Sequence, residues 1–322
     1  MYSLAPPSRE HLERLQTLSP GLEVVVAANE AHALDAAADA EVILGHRYLR
    51  QCLPLARCLK WVQSSAGGID RLPLADLAER GVILSRSTLD SDTVAAHALA
   101  LAWSVSRGLP QAYRQQQVGT WDQRLALTRL PETAIVIGLG AVGTAIAKRL
   151  KAQGITVLCG KRSKPAADPA SPCAEIFCNG AWRSALPRVD WCFLALVHTP
   201  ETTKIFDETA LRALPPHAVL VNVGRGETLD TDALQRVLLE GHLAGVALDV
   251  FESGPLPTGH PLWHAPRTLI TPHVASHHPG RIERIERYFE EQLSRYLSGQ
   301  PLKDLVELPP TGSGDPAVEA NT

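Results

Sequence analysis

The chain has 322 residues, 31 Lys and Arg against 34 Asp and Glu for a formal charge of −3, and 45% hydrophobic residues. That size and apolar share suit one large or two ordinary globular domains with a true core. The charge offers no bulk attraction to nucleic acid or an anionic membrane, and no apolar run approaches a bilayer span. The opening MYSLAPPSREHLERL lacks the basic-then-apolar order of a secretory signal. Six cysteines, at 52, 58, 159, 173, 178 and 192, have no C-x-x-C pairing. Reduced thiols in a cytoplasmic protein are expected, not a zinc site or a disulfide framework.

Residues 1 to about 90 alternate short strands with helices. Strands are expected at Leu22–Ala27, Glu41–Leu44, Leu59–Val62 and Val82–Leu84, and helices around His11–Leu18, Ala31–Ala38 and Leu74–Glu79. Such βα alternation indicates a parallel sheet. After the third strand comes Gln63-Ser64-Ser65-Ala66-Gly67-Gly68-Ile69-Asp70. Its backbone N–H groups could cradle a small anion, and a plain glycine turn fits the pattern equally well. Thr93–Ser106 is an apolar helix with Asp92 as a candidate cap, interrupted at Gly108 and Pro110 and resumed over Gln111–Val118. Its apolar character suits a junction between domains or subunits, and His97 on it reads as a packed core histidine.

Thr133–Ile137 is an apolar, β-branched run that suits a buried parallel strand. Gly138, Gly140 and Gly143 follow in G-x-G-x-x-G spacing, and Ala141–Gln153 has helical spacing with Val142, Ile146 and Leu150 on one face. Gly154 ends that helix, and Ile155–Leu158 is the next strand. The motif thus sits inside a βαβ unit, the context of a dinucleotide site. Gly138 permits the tight turn, Gly140 the approach of a pyrophosphate, and Gly143 close packing of helix on strand. The helix N-terminus, from Ala141 and Val142, offers N–H groups and a positive dipole end to the anion. An acidic residue that would accept from a ribose 2′-OH is missing after the second strand. Lys161, 18 residues beyond Gly143, begins Lys161-Arg162-Ser163-Lys164 instead. Cations and a hydroxyl suit a 2′-phosphate, so NADP is favoured over NAD.

Beyond an irregular Ser163–Pro172, strands are expected at Val189–Val197, Ala218–Val223, Ala244–Leu248 and Thr268–Ile270. Asp230–Leu239 is a helix with Asp230 as a possible cap and Gly241 as its stop, Gly280–Leu297 is a charged amphipathic helix, and 309–322 has the composition of a disordered tail. Arg225, Asp249 and His273 each follow one of these strands. Ligands of open parallel sheets bind beyond the carboxyl ends of the strands, so the three are candidates to converge there. Arginine can hold a carboxylate with two charge-assisted hydrogen bonds, and a histidine can protonate a carbonyl oxygen as hydride reaches its carbon. Val197 and Val223, at two strand ends, belong to the same expected cofactor surface. The remaining histidines have no metal-ligand spacing, and no metal is expected.

The stretches WVQSSAGGIDRL, VIGLGAVGTAIAKRL, HTPETTKIFDETALRALPPHAVLVNVGRGETLD, LAGVALDVFESGPLP and HPLWHAPRTLITPHVAS together resemble the D-isomer-specific 2-hydroxyacid dehydrogenases, particularly the glyoxylate/hydroxypyruvate reductase branch. The resemblance runs from about Glu41 to Gln300. It implies two Rossmann-like and flavodoxin-like α/β parallel-sheet domains with the active site in the cleft between them. Residues 1–92 and 275–308 would form a discontinuous substrate domain, and 93–274 the NAD(P)-binding domain. It further implies that Arg225 binds the substrate carboxylate, His273 is the general acid/base, Asp249 contacts the nicotinamide amide, and Gly67 and Gly68 add backbone N–H groups to the carboxylate. A homodimer through the nucleotide domain is implied as well.

One position departs from the family pattern. A glutamate is normal five residues after the aspartate, where this chain has Gly254. That carboxylate holds the histidine ring and stabilises the imidazolium, and glycine does neither. Glu252 lies two positions away and is not equivalent. Ala96, where the family often has Glu, is a milder departure. The expected activity is reduction of a small 2-ketoacid to the D-2-hydroxyacid, weakened or shifted to acid pH. The alternative is a dinucleotide-binding regulatory or scaffold protein with impaired catalysis.

Overall fold

The computed structural model describes residues 7–163 and 168–310. The chain divides into two compact units, Met1–Asp90 with His278–Thr322, and Ser91–His277. Lys164 and the segment 311–322 lie outside the described residues, so neither the end of the basic cluster nor most of the expected tail is described.

The first unit contains α1 (Arg9–Leu18), α2 (Glu30–Ala37), β1 (Val42–Leu44), α3 (Leu49–Cys52), β2 (Trp61–Gln63), α4 (Leu74–Glu79) and β3 (Ile83–Ser85). Its parallel sheet has the order β1-β2-β3. Trp61, fully buried, stacks on Phe289 and Tyr296 of the C-terminal helix, which follows the second unit in sequence. Its indole N–H donates to Ser85 Oγ at 2.8 Å, and that hydroxyl donates to Gln63 Oε1 at 2.7 Å, so the polar groups inside this core are paired.

The expected strand at Leu22–Ala27 does not form. Leu22 and Val24 pack toward Trp61, while Val25 and Val26 are 50% and 39% exposed. The run has strand-forming residues, but a strand also needs a partner's ladder, and β1 takes β2 instead.

The second unit runs through α5 (Ser91–Ser106), α6 (Leu109–Gln117), β4 (Thr133–Ile137), α7 (Ala141–Ala152), β5 (Thr156–Lys161), β6 (Glu175–Cys178), β7 (Trp191–Leu194), α8 (Glu208–Ala213), β8 (Val219–Asn222), α9 (Thr231–Leu239), β9 (Gly245–Leu248) and β10 (Thr268–Ile270). The first unit then closes with α10 (Arg281–Leu297). Seven parallel strands lie in the order β10-β9-β8-β7-β4-β5-β6. The order reverses at β4, the mark of a doubly wound sheet. β4, β7, β8 and β9 are almost completely buried, as strands covered on both faces should be.

Local signals hold where they are strongest. Asp230 caps α9, accepting from Ala233 N at 3.0 Å, and Gly154 ends the α7 region at φ +79°. Asp92 does not cap α5; it lies inside the first turn and pairs with Arg149 at 2.6 Å. The cysteine expectation is corrected too. Cys159 and Cys173 form a disulfide, while Cys52, Cys58, Cys178 and Cys192 are free. The pairing of β5 with β6 brings Cys173 beside Cys159, with Cα atoms 5.9 Å apart. Spacing along the chain carries no trace of that neighbourhood. The all-reduced premise for a cytoplasmic location therefore falls away.

Candidate active site

The turn from β4 into α7 is shaped by missing side chains. Gly138 has φ +100°, and a Cβ there would lie 2.5 Å from the Ala195 carbonyl oxygen. A Cβ on Gly143 would fall 1.8 Å from the Gly138 oxygen. Both positions are closed to any other residue. Gly140, by contrast, is exposed, with nothing within 4 Å of the Cβ position, and no side chain caps α7. Ala141 and Val142 open the helix, so a 12-residue dipole and unused N–H groups face an unobstructed approach. This cradle fits a pyrophosphate.

Lys161 ends β5, and Arg162 and Ser163 are exposed just beyond it. Arg162 faces the Glu201 region. The Glu201 carboxyl is held below its usual range, chiefly by the Thr199 hydroxyl, with the Arg162 charge a smaller contribution. The Cys159–Cys173 disulfide closes the loop that carries this basic segment. Val197, 48% exposed, follows β7, and Val223, 8% exposed, follows β8.

Arg225, Asp249 and His273 follow β8, β9 and β10, three adjacent parallel strands, so their turns share one edge of the sheet. Arg225 is half-buried, and its Nη1 donates to the Gly224 carbonyl at 2.9 Å. Its turn is tied down by Asn222, which is fully buried. Asn222 Nδ2 donates to the Arg225 carbonyl at 3.1 Å, and Gly224 N donates to Asn222 Oδ1 at 3.0 Å. The Thr228 hydroxyl adds a 2.6 Å bond to the same Arg225 carbonyl. Gly226 lets Phe251 and Glu252 pass close by; a Cβ there would sit 1.9 Å from the Phe251 carbonyl carbon.

His273 is exposed, with φ +55°, a left-handed conformation uncommon for a residue with a side chain. Asp249, 1% exposed, accepts from Thr271 Oγ1 at 2.6 Å, Val274 N at 3.0 Å and Ala275 N at 3.0 Å. Its carboxylate therefore fastens the turn on both sides of His273. His97 is not the packed core histidine expected from its helix: it is half-buried, and its Nε2 lies 3.2 Å from Thr271 Oγ1.

Gly254 is exposed, and a Cβ there meets nothing within 4 Å. Glu252 lies 4.0 Å from Lys204 Nζ. In the other unit, the Gly67–Gly68 loop is braced by Ser64, whose Oγ accepts from Ala66 N at 3.2 Å, and by Ser87 N, which donates to the Ala66 carbonyl at 3.3 Å. The buried Ser87 hydroxyl has no hydrogen-bond partner among the described residues. His46, 3.4 Å from Ser64 Oγ, has its pKa lowered by burial. The Arg47 guanidinium packs over the Tyr48 ring.

Asn222 and Thr271 were the residues that sequence reasoning passed over. A polar residue ending or following an apolar strand was the available signal in each case.

Residues 99–275 match the family model described as D-isomer specific 2-hydroxyacid dehydrogenase, NAD binding domain. The chain belongs to the D-isomer-specific 2-hydroxyacid dehydrogenase family. This is an oxidoreductase family, and the matched domain binds a nicotinamide dinucleotide. A glyoxylate/hydroxypyruvate reductase of Arabidopsis thaliana is 29% identical over 246 residues, 75% of this chain and 74% of that one. A D-3-phosphoglycerate dehydrogenase of Methanocaldococcus jannaschii is 27% identical over 294 residues, 89% of this chain but 56% of that protein. Among solved structures, a D-isomer specific 2-hydroxyacid dehydrogenase of Xanthobacter autotrophicus Py2, in complex with NADPH and MES, has a TM-score of 0.79 at 28% identity, covering 95% of this chain and 96% of the other.

Proposed function

We propose that this family member is an NADPH-preferring reductase of a small 2-ketoacid, of the size of glyoxylate or hydroxypyruvate, yielding the D-2-hydroxyacid. The observation that carries the reading is the set of neighbouring turns after β8, β9 and β10, with a guanidinium on the first and an imidazole on the last. Arg225 holds the substrate carboxylate and draws electron density from the adjacent keto group. His273, as imidazolium, donates its proton to the carbonyl oxygen. A bound reduced nicotinamide supplies the hydride that the keto carbon needs. Asp249 serves the nicotinamide side of the site, and Val197 and Val223 line it.

Gly138, Gly140, Ala141, Val142 and Gly143 are proposed to hold the pyrophosphate. Lys161, Arg162 and Ser163 would hold a 2′-phosphate, which supports NADP over NAD. In the first unit, the Gly67–Gly68 loop is proposed to offer backbone N–H groups to a carboxylate, which makes that unit the substrate domain. A homodimer through the nucleotide unit is supported by the exposed apolar residues Leu109, Tyr113, Val118, Trp121 and Leu130 on α6 and the segment after it, with Trp121 91% exposed. No helix among the described residues is long and apolar enough to cross a membrane.

Gly254 favours a second reading, a dinucleotide-binding protein with impaired catalysis. One assay separates the two: NADPH or NADH is mixed with glyoxylate, hydroxypyruvate and larger 2-ketoacids, and the loss of reduced-nicotinamide absorbance is followed. Turnover faster with NADPH supports the reductase. Tight NADPH binding without turnover of any ketoacid selects the second reading.

A further inference from the structure

His273 occupies a backbone conformation that its own side chain disfavours, so something must hold its turn. The family carboxylate that would steady the ring is absent at Gly254. What the turn does have is a connected polar network behind it. Asp249, as a carboxylate, can only accept, and it takes the N–H groups of Val274 and Ala275. Its 2.6 Å contact with Thr271 therefore uses the one hydroxyl hydrogen of Thr271. That leaves Thr271 Oγ1 only acceptor capacity toward His97, 3.2 Å away. His97 Nε2 must then carry the hydrogen and donate it. The order is fixed: His97 N–H to Thr271 O–H to Asp249 carboxylate. It links α5 to the residue two before His273, whose backbone N–H donates to the Thr271 carbonyl at 3.0 Å.

We infer that Thr271, locked between His97 and Asp249, is a positioning residue that aims the His273 imidazole. It fixes, from behind, the turn that carries His273. The inference rests on His273 being the proton donor. Thr271→Val keeps the shape and removes the hydroxyl, cutting the network in the middle. Thr271→Ser keeps the hydroxyl.

The test compares the full-length protein with T271V, T271S and H273A, using three readouts. These are kcat with glyoxylate, the NADPH dissociation constant by fluorescence, and the His273 ring resonance in the proton–carbon NMR spectrum, assigned by its loss in H273A. With the reacting group misaimed, T271V should lose about ten- to hundred-fold in kcat, keep its NADPH affinity, and shift or broaden the His273 resonance. T271S should return kcat to within about threefold of the parent and restore the resonance. A T271V with parent-like kcat beside an impaired H273A would overturn the inference. So would a fall in NADPH affinity that matches the fall in kcat, which would assign Thr271 to the cofactor. An unmoved His273 resonance in T271V would overturn it even in a protein without turnover. If H273A itself keeps full kcat, the proton-donor reading fails first, and the positioning role fails with it.

Discussion

The two flanks of the seven-stranded sheet solve different problems with different means. On the β4–β5–β6 flank, geometry comes from what is missing: Gly138 and Gly143 have no room for a Cβ, and a Cβ on Gly160 would crowd Trp182 at 3.1 Å. On the β8–β9–β10 flank it comes from buried polar side chains, Asn222 and Asp249, each fastening the turn that follows its strand. A phosphate is bound by backbone, so the chain must come close, and glycine permits that. A reacting group must be aimed, so its turn must be tied. The two ties also differ in charge. A neutral amide, Asn222, stands behind the Arg225 turn. A carboxylate, Asp249, stands behind the His273 turn.

The largest effect should come from the aimed flank. Arg225→Gln keeps hydrogen-bonding capacity but removes the charge, and kcat/KM for glyoxylate should fall by about a thousandfold while NADPH affinity stays near that of the parent. Steady-state kinetics with a fluorescence titration of NADPH checks both halves. Next comes the tie itself: Asn222→Ala orphans Gly224 N and part of the Arg225 carbonyl, and should raise KM for the ketoacid about tenfold and cost about 1–3 kcal/mol in denaturant unfolding.

On the cofactor flank the disulfide gives a smaller, selective effect. Denatured but unreduced protein should titrate four thiols and reduced protein six, by reaction with a chromogenic disulfide. Cys173→Ala should weaken NADPH binding about threefold to tenfold by loosening the loop that carries Lys161–Ser163, and change NADH binding less. Six thiols before reduction would remove the cross-link from the protein.

The smallest effect on activity is expected at the base both flanks share. Asp190 accepts from Glu132 N and Thr133 N at the start of β4 and pairs with Arg129 at 2.6 Å. Burial raises its pKa, but the two backbone bonds and Arg129 outweigh that and hold it below the usual carboxylate range. A depressed folded-state pKa means stability that is present above the unfolded value and lost as pH falls through the folded one. Asp190→Asn should therefore unfold more easily at neutral pH, by about 1–3 kcal/mol, and the gap to the parent should narrow in acid. Denaturant melts at pH 7 and pH 3 check this.

The cofactor flank was readable because its determinants are local. A strand, three glycines, a helix and a second strand follow one another within about thirty residues, and the structure places β4, α7 and β5 there. The ends of β9 and β10 were readable as apolar runs that stop at polar residues. What the sequence hid depends on neighbours across the sheet. The LEVVVA segment is rich in strand-forming valine yet forms no strand, and Cys173 meets Cys159 only because β5 pairs with β6. His97 looked like core from helix periodicity, and its hydroxyl partner lies 174 positions away. Asp249 was legible as a candidate site residue, but its bonds to Val274 and Ala275 depend on β9 and β10 lying side by side.

Gly254 is where the two ties can be weighed against the missing carboxylate. The position is open, with nothing within 4 Å of a Cβ, so Gly254→Glu adds the side chain without displacing a neighbour. The most direct measurement is the pH dependence of kcat/KM for NADPH-driven glyoxylate reduction, parent and G254E side by side. The expected result is a parent whose activity falls off at lower pH than in the variant, with the upper limb of G254E moved toward alkaline pH by about one unit. A parent fully active up to pH 8, with a profile superimposable on that of G254E, would contradict the account in which glycine at position 254 shifts the activity toward acid.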